Sequence, residues 1–383
     1  MLITAGTVVT GSEILRPGWL EVAGGRVRAL GSGEPPRPLG VGDVALGEVT
    51  VVPGFVDMHT HGAGGGAFPE ATAEASRAAV AMHRAHGTTA LIASLVSAHP
   101  DELLREVSVL TEQVEDGLIG GIHLEGPWLA PCKKGAHDPT ALRNPEAAEI
   151  ARLFTAGRGT IKMVTIAPEL DGAMAAIGQM VDLGAIAAIG HTDASLEQAR
   201  AAIDAGASVA THLFNAMRPV HHREPGPIVA LVEDERVTVE MIGDGVHLHP
   251  ALYTEVCRRV GDDRVTLVTD AMAAAGMADG AYVLGALPVE VSGGVAHIAG
   301  TDTIAGSTAT MDQLFRFALA HGGGSADESL LRAVRQTSVN PARVMGFATV
   351  GLGAGMAADA VVLDASSAVV RVLKSGEWVH TAG

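Results

Sequence analysis

The apolar positions of this chain fall into two textures. From Met1 to about Val52 they come in short runs broken by turn residues: Leu2-Ile3-Thr4, Thr7-Val8-Val9-Thr10, Trp19-Leu20-Glu21-Val22 and Val27-Arg28-Ala29-Leu30. Runs of this length and spacing predict the strands of a small β-structure. The C-terminus repeats the texture in Asp359-Ala360-Val361-Val362-Leu363-Asp364 and Val369-Val370-Arg371-Val372-Leu373, with the turn Lys374-Ser375-Gly376-Glu377 before Trp378-Val379. We expect residues 1–53 and 345–383 to pair into one small β-sandwich domain, with the Gly31 to Pro38 stretch as a surface turn.

Between these ends the pattern alternates. Apolar runs end at Asp57, Ser94, Glu125, Pro168, His191, His212, Gly243 and Asp270. Helix-like segments separate them, from Ala71 to His86, Pro100 to Glu115, Pro145 to Thr155, Asp171 to Leu183 and Ser195 to Ala205. Such alternation gives parallel strands joined by right-handed crossovers. Eight strands predict an α/β chain whose residues 54–344 form a (β/α)8 TIM-like barrel, and in that fold the active site lies at the C-terminal ends of the strands.

Ligand-type residues sit at those ends. His59-Thr60-His61 follows the run Val51 to Val56. Side chains alternate along a strand, so His59 and His61 share a face, and imidazole is the commonest protein ligand for zinc. Glu125, His191, His212 and Asp270 each close another run. The expected division puts one ion on His59 and His61 and a second on His191 and His212. Glu125 bridges and Asp270 stands beside the first ion. A metal at such a site lowers the pKa of bound water and polarises a carbonyl, leaving Asp270 to take the proton and return it to the leaving group. Zinc suits this donor set best, with iron, manganese and cobalt as alternatives. His83 and His86 are expected on the solvated side of a helix, and His123 as either a neighbour of the ligands or a satisfied core histidine.

Composition narrows the partners. With 26 basic and 43 acidic residues the net charge is -17, which argues against nucleic acid or an anionic membrane surface. An anionic substrate therefore needs a local cluster of positive charge. No run reaches the ~18 apolar residues of a membrane span, and the first residues lack a basic segment followed by an apolar one, so we expect a cytoplasmic protein. The two cysteines, Cys132 and Cys257, form no Cys-x-x-Cys pair and are read as reduced thiols.

Five strings carry a more specific likeness. Pro53-Gly54-Phe55-Val56-Asp57-Met58-His59-Thr60-His61-Gly62, His123-Leu124-Glu125-Gly126-Pro127, Gly190-His191-Thr192, Thr211-His212-Leu213-Phe214-Asn215-Ala216-Met217 and Val268-Thr269-Asp270-Ala271 together resemble the N-acetylglucosamine-6-phosphate deacetylases of the amidohydrolase superfamily. The likeness runs from the N-terminal segment to Asn340-Pro341-Ala342-Arg343. It implies removal of the acetyl group from a phosphorylated amino sugar, with Glu125, His191 and His212 as metal ligands and Asp270 as catalytic acid and base. His59 and His61 mark a point of variation, since some members lack the pair and work with one ion. The likeness also implies phosphate contacts from Asn215 and the Ala216 backbone, and Arg223 reaching the site of a neighbouring subunit in a homodimer. His137 and His247 are implied substrate contacts, as are Ala136 and the Ile304-Ala305-Gly306 turn.

Two other readings predict different residues. A cyclic amidase or dihydroorotase-like enzyme bridges its metals with a modified lysine at the end of the fourth strand, whereas here Lys162 begins that run and Ile166-Ala167-Pro168-Glu169 ends it. A catalytically silent sugar-phosphate-binding protein would lack Asp270 or the ligands, and all are retained.

Overall fold

The computed structural model describes residues 1–347 and 351–382, so that Ala348, Thr349, Val350 and Gly383 of the expected C-terminal segment lie outside it. By compactness the chain divides into two units, one of residues 1–57, 83–90 and 310–383, the other of residues 58–82 and 91–309.

Eight strands form one sheet in sequential order: β1 (Phe55–Thr60), β2 (Thr88–Leu95), β3 (Ile122–Glu125), β4 (Ile161–Ile166), β5 (Ile186–Ile189), β6 (Val209–Ala210), β7 (Thr238–Met241) and β8 (Val265–Leu267). Registered pairs from β2 to β8 are parallel. A parallel bridge from Thr60 to Ala271 carries the sheet back to its first strand and nearly closes the (β/α)8 barrel. These strands are covered on both faces, so they read as near-continuous apolar runs, and Ile92, Leu95, Leu124, Val164, Ile189, Val239 and Leu267 are all buried. The crossovers include α1 (Ala73–Ala85), α2 (Pro100–Glu115), α3 (Ala147–Gly157), α4 (Ala173–Asp182) and α5 (Leu196–Asp204), each within a few residues of the segment its pattern predicts. Ser195 caps α5 by accepting from the Gln198 N–H, while the Gln198 side chain accepts from the Ser195 N–H.

In the other unit, a four-stranded sheet is built from N-terminal strands and a six-stranded sheet draws on both termini. Thr50–Pro53 pairs antiparallel with Ala360–Leu363. Ile3, Val8, Leu20, Val22, Val51, Val362 and Leu373 share one core there. Gly31 and Ser32, expected in a turn, belong instead to the strand Arg26–Ser32.

Two features escaped the pattern. After β8 the chain makes a three-stranded antiparallel sheet of Gly280–Leu284, Leu287–Ser292 and Val295–Ile298. Its Leu284, Val289, Val291 and Ala296 share a small core with Val96, Met272, Ala274 and Ala305. His83, expected in solvent, is buried. It lies one turn beyond the buried Ala79 and Val80 on the inward stripe of α1, and His86 alone of the pair stays partly exposed, 3.0 Å from Asp312.

Candidate metal centre and active site

The six residues singled out at the strand ends converge in space. His59 lies near the end of β1, Glu125 closes β3, and His191, His212 and Asp270 follow β5, β6 and β8 within three residues. All are buried. Their donor atoms form two groups, His59, His61, Glu125 and Asp270 in one and Glu125, His191 and His212 in the other, with every atom in a group within 4.8 Å of the rest. Glu125 turns one oxygen to each. Its Oε2 is 3.1 Å from His61 Nε2 and 3.6 Å from His59 Nε2. Its Oε1 is 2.9 Å from His212 Nε2 and 3.1 Å from His191 Nε2. Asp270 Oδ1 closes the first group at 3.2 Å from His61 Nε2 and 3.5 Å from His59 Nε2.

The backbone bends to reach this arrangement. His191, His212 and Asp270 have φ of 47°, 26° and 47°, a left-handed region that costs a non-glycine residue on the order of 1 kcal/mol or more and that clusters at functional sites. Tertiary hydrogen bonds hold the bends. The Asp270 N–H donates to the His59 carbonyl at 2.9 Å, and the Ser307 N–H donates to the Asp270 carbonyl at 2.7 Å. At Gly306, φ is +65° and a Cβ would stand 2.9 Å from that same carbonyl, so this turn requires glycine.

The electrostatics show what the donor set lacks. Burial alone would lower the pKa of His59 and His61. The Glu125 and Asp270 carboxylates outweigh it, holding His59 well above its ordinary value and His61 up to about 9. Burial likewise opposes ionisation of Glu125 and Asp270, yet the surrounding histidines keep both well below the usual carboxylate range. Two buried carboxylates with four converging imidazole nitrogens demand positive charge, which the raised pKa values of His59, His61 and His212 reflect. A divalent metal meets the same demand while each imidazole stays neutral, so the residues fit one. His123 is not part of this set. Its nitrogens bond to Ser94 Oγ (2.9 Å) and Thr165 Oγ1 (2.8 Å), burial and then the His59 charge push its pKa down, and its ring packs edge-on to His59.

A cavity of about 410 Å³ opens over the donors, and its wall includes Ala136, His137, Asn215, Ala216, His247, Ile304 and Gly306. Ala305 is fully buried and lies outside that wall. His137 Nδ1 accepts from the Ser97 N–H at 3.1 Å, so the neutral ring carries its proton on Nε2, which lies 3.5 Å from Glu125 Oε2. Burial, only partly offset by Glu125, lowers its pKa to about 4. His247 donates from Nδ1 to Asp244 Oδ2 at 2.7 Å, and Asp244 also accepts the His247 N–H. Asp244 went unnoticed in the sequence, where the Asp-Gly-Val-His spacing is its only signal. Cys132, Lys133, Asp302 and Thr303 also line the cavity. Lys133 holds His191 through its carbonyl, 2.8 Å from Nδ1. Arg223 does not line this cavity. It is exposed, with Nη1 2.7 Å from His222 Nε2. Lys162 lies at the start of β4 with its ammonium on the Gly159 carbonyl, away from any bridging position.

Comparison with known proteins places these features in a family. The amidohydrolase family profile matches residues 50–379. N-acetylglucosamine-6-phosphate deacetylase of Danio rerio is 37% identical over 348 residues, covering 86% of this chain and 84% of the relative. N-acetylgalactosamine-6-phosphate deacetylase of Escherichia coli is 33% identical, covering 94% of this chain and 95% of the relative. Among solved structures, an aspartate-to-alanine variant of N-acetyl-D-glucosamine-6-phosphate deacetylase from Mycobacterium smegmatis, in complex with N-acetyl-D-glucosamine 6-phosphate, is 60% identical, with a TM-score of 0.98 and coverage of 100% of this chain and 99% of that one. The chain thus belongs to the amidohydrolase family and, within it, to the N-acetylglucosamine-6-phosphate deacetylases.

Proposed function

We propose that this enzyme hydrolyses the amide of N-acetyl-D-glucosamine 6-phosphate to D-glucosamine 6-phosphate and acetate, in a metal-dependent reaction of amino sugar metabolism. The observation that carries the reading is the two-group donor set with Asp270 at its edge, in a chain similar over its whole length to a deacetylase solved with that sugar phosphate. His59, His61, Glu125 and Asp270 would hold one cation, and Glu125, His191 and His212 a second, with zinc as the preferred ion. A cation bound there lowers the pKa of water and polarises the acetyl carbonyl.

The chain's own groups do the rest. Asp270, kept ionised, accepts a proton from the attacking water and delivers it to the departing sugar nitrogen as the C–N bond breaks. His137 has its Nδ1 engaged by Ser97, which leaves the Nε2 proton to donate to the acetyl oxygen. Asp244 fixes the His247 ring at the sugar. Asn215 and the Ala216 backbone contact the phosphate, and Ala136, Ile304 and Gly306 frame the ring. We assign Arg223 to the phosphate in the neighbouring subunit of a homodimer, in keeping with its absence from the wall of its own cavity. Residues 1–53 and 345–383 serve as the small domain and 54–344 as the catalytic one. None of the described helices is long and apolar enough to cross a membrane, and we place the enzyme in the cytoplasm.

The test is acetate release from N-acetylglucosamine 6-phosphate by metal-stripped and zinc-reloaded protein. The unphosphorylated sugar, the galacto epimer and dihydroorotate run beside it. Turnover of the gluco phosphate that returns only with metal is expected; none by reloaded protein would overturn the assignment.

A further inference from the structure

We propose that Glu240, to which neither the motifs nor the proposed mechanism gives a part, is a positioning residue. It ties the two halves of the metal centre together and governs how tightly the His59–His61 half holds its ion. The inference rests on the metal-dependent reading above.

Glu240 lies on β7 and is fully buried. A single oxygen, Oε2, does two things. It lies 3.2 Å from His59 Nδ1, and it accepts the His212 N–H, also at 3.2 Å. His59 Nε2 faces His61 Nε2, Glu125 Oε2 and Asp270 Oδ1 at 3.3, 3.6 and 3.5 Å. That nitrogen is the one that ligates, so Nδ1 carries the proton and donates it to Glu240. Glu240 itself cannot reach the ion, because the His59 ring stands between them, and it belongs to neither donor group.

The four ligand histidines are backed unequally. The second nitrogen of His61 meets the Ser94 carbonyl at 3.1 Å, and that of His191 meets the Lys133 carbonyl at 2.8 Å. That of His212 has no hydrogen-bond partner among the described residues. Only His59 is backed by a carboxylate. An anion on Nδ1–H fixes the tautomer and makes Nε2 a stronger donor, and loss of such a partner weakens metal binding about 10- to 100-fold. The backbone bond acts on the other half. His212 has φ of 26°, outside the ordinary backbone regions, and Glu240 holds its N–H at that bend. The residue thus links a ligand of each group, one through its ring and one through its main chain. A buried carboxylate is costly unless paired, so its presence in the barrel interior calls for this kind of partner.

The test is metal content of the full-length protein, loaded with zinc and then dialysed against graded chelator. The wild type should hold two ions. Glu240→Gln, which keeps shape and an acceptor oxygen but removes the charge, should lose one of them at 10- to 100-fold weaker chelator challenge and keep the other. In a His59→Asn background the same change should add less than about twofold, because the group through which it acts is gone. Glu240→Asp, which restores the charge, should recover part of the affinity, an effect that a purely packing role would not produce. Circular dichroism of the metal-free proteins establishes that each variant is folded, and Glu240→Asp against wild type supplies the comparison should the glutamine variant fail to fold. Wild-type retention in Glu240→Gln, or an undiminished effect without His59, would overturn the inference. So would a wild type that takes up one ion only, which leaves the deacetylase reading standing; that reading fails separately if reloaded protein releases no acetate.

Discussion

Asp270 meets two demands with one carboxylate. Its Oδ1 stands within 3.5 Å of both His59 and His61, and the same group faces the cavity where an attacking water would sit. Asparagine keeps a ligand oxygen and the shape but cannot take up the proton. Asp270→Asn should therefore retain metal while turnover falls about 10²- to 10⁴-fold. Elemental analysis beside kcat checks this, and near-normal turnover would sink the assignment. That these six residues lie together was legible in the sequence because each stands at or near the end of an apolar run, where a parallel barrel exposes its chemistry. The left-handed backbone at His191, His212 and Asp270 was not, since histidine and aspartate enter that region more readily than most residues yet no local signal marks which of them do. It is held by bonds from distant strands.

At the scale of the element, α2 carries a residue that works against the fold. Glu106 lies on the buried face with Leu103, Val107 and Leu110. Burial first, and then the Glu102 charge, raise its pKa from 4.5 to about 8, with Arg105 opposing weakly. The unfolded chain releases this proton near pH 4.5, while the folded protein keeps it to about 8. The folded state thus binds the extra proton between those limits, and stability falls as pH rises through that window. Glu106→Gln should be close to neutral at pH 5 and stabilising by on the order of 2 kcal/mol at pH 8. Urea unfolding at the two pH values measures it, and an equal effect at both would mean that ionisation is not the cause. The helix itself was legible end to end, from Pro100 to Glu115. The three-stranded sheet after β8 was not, because its exposed strands alternate with turns and offer little apolar signal.

At the scale of the whole molecule, the question is where the cation for the phosphate comes from. The chain carries a net charge of -17, and Lys133 is the only lysine or arginine in the described wall of the cavity. Its ammonium lies 3.4 Å from Asp193. If Arg223 serves the neighbouring subunit, Arg223→Ala should raise KM about ten- to a hundredfold, the worth of one charge-assisted hydrogen bond. Mixing Arg223→Ala with Asp270→Asn protomers should then restore activity, since one site of each mixed dimer regains both groups. No complementation, or a monomer in solution, would place Arg223 outside catalysis.

What the sequence by itself determined is the order of the eight barrel strands and the first five helices, the pairing of the two termini and the residue types at the barrel mouth, because period, turn residues and strand-end position are local properties. The tertiary structure decided which oxygen of Glu125 serves which histidine pair and that Glu240 meets both His59 and His212. It also decided that His83 is buried. These depend on strands and helices far apart in the chain being brought to within a few ångströms, a distance that no single segment encodes.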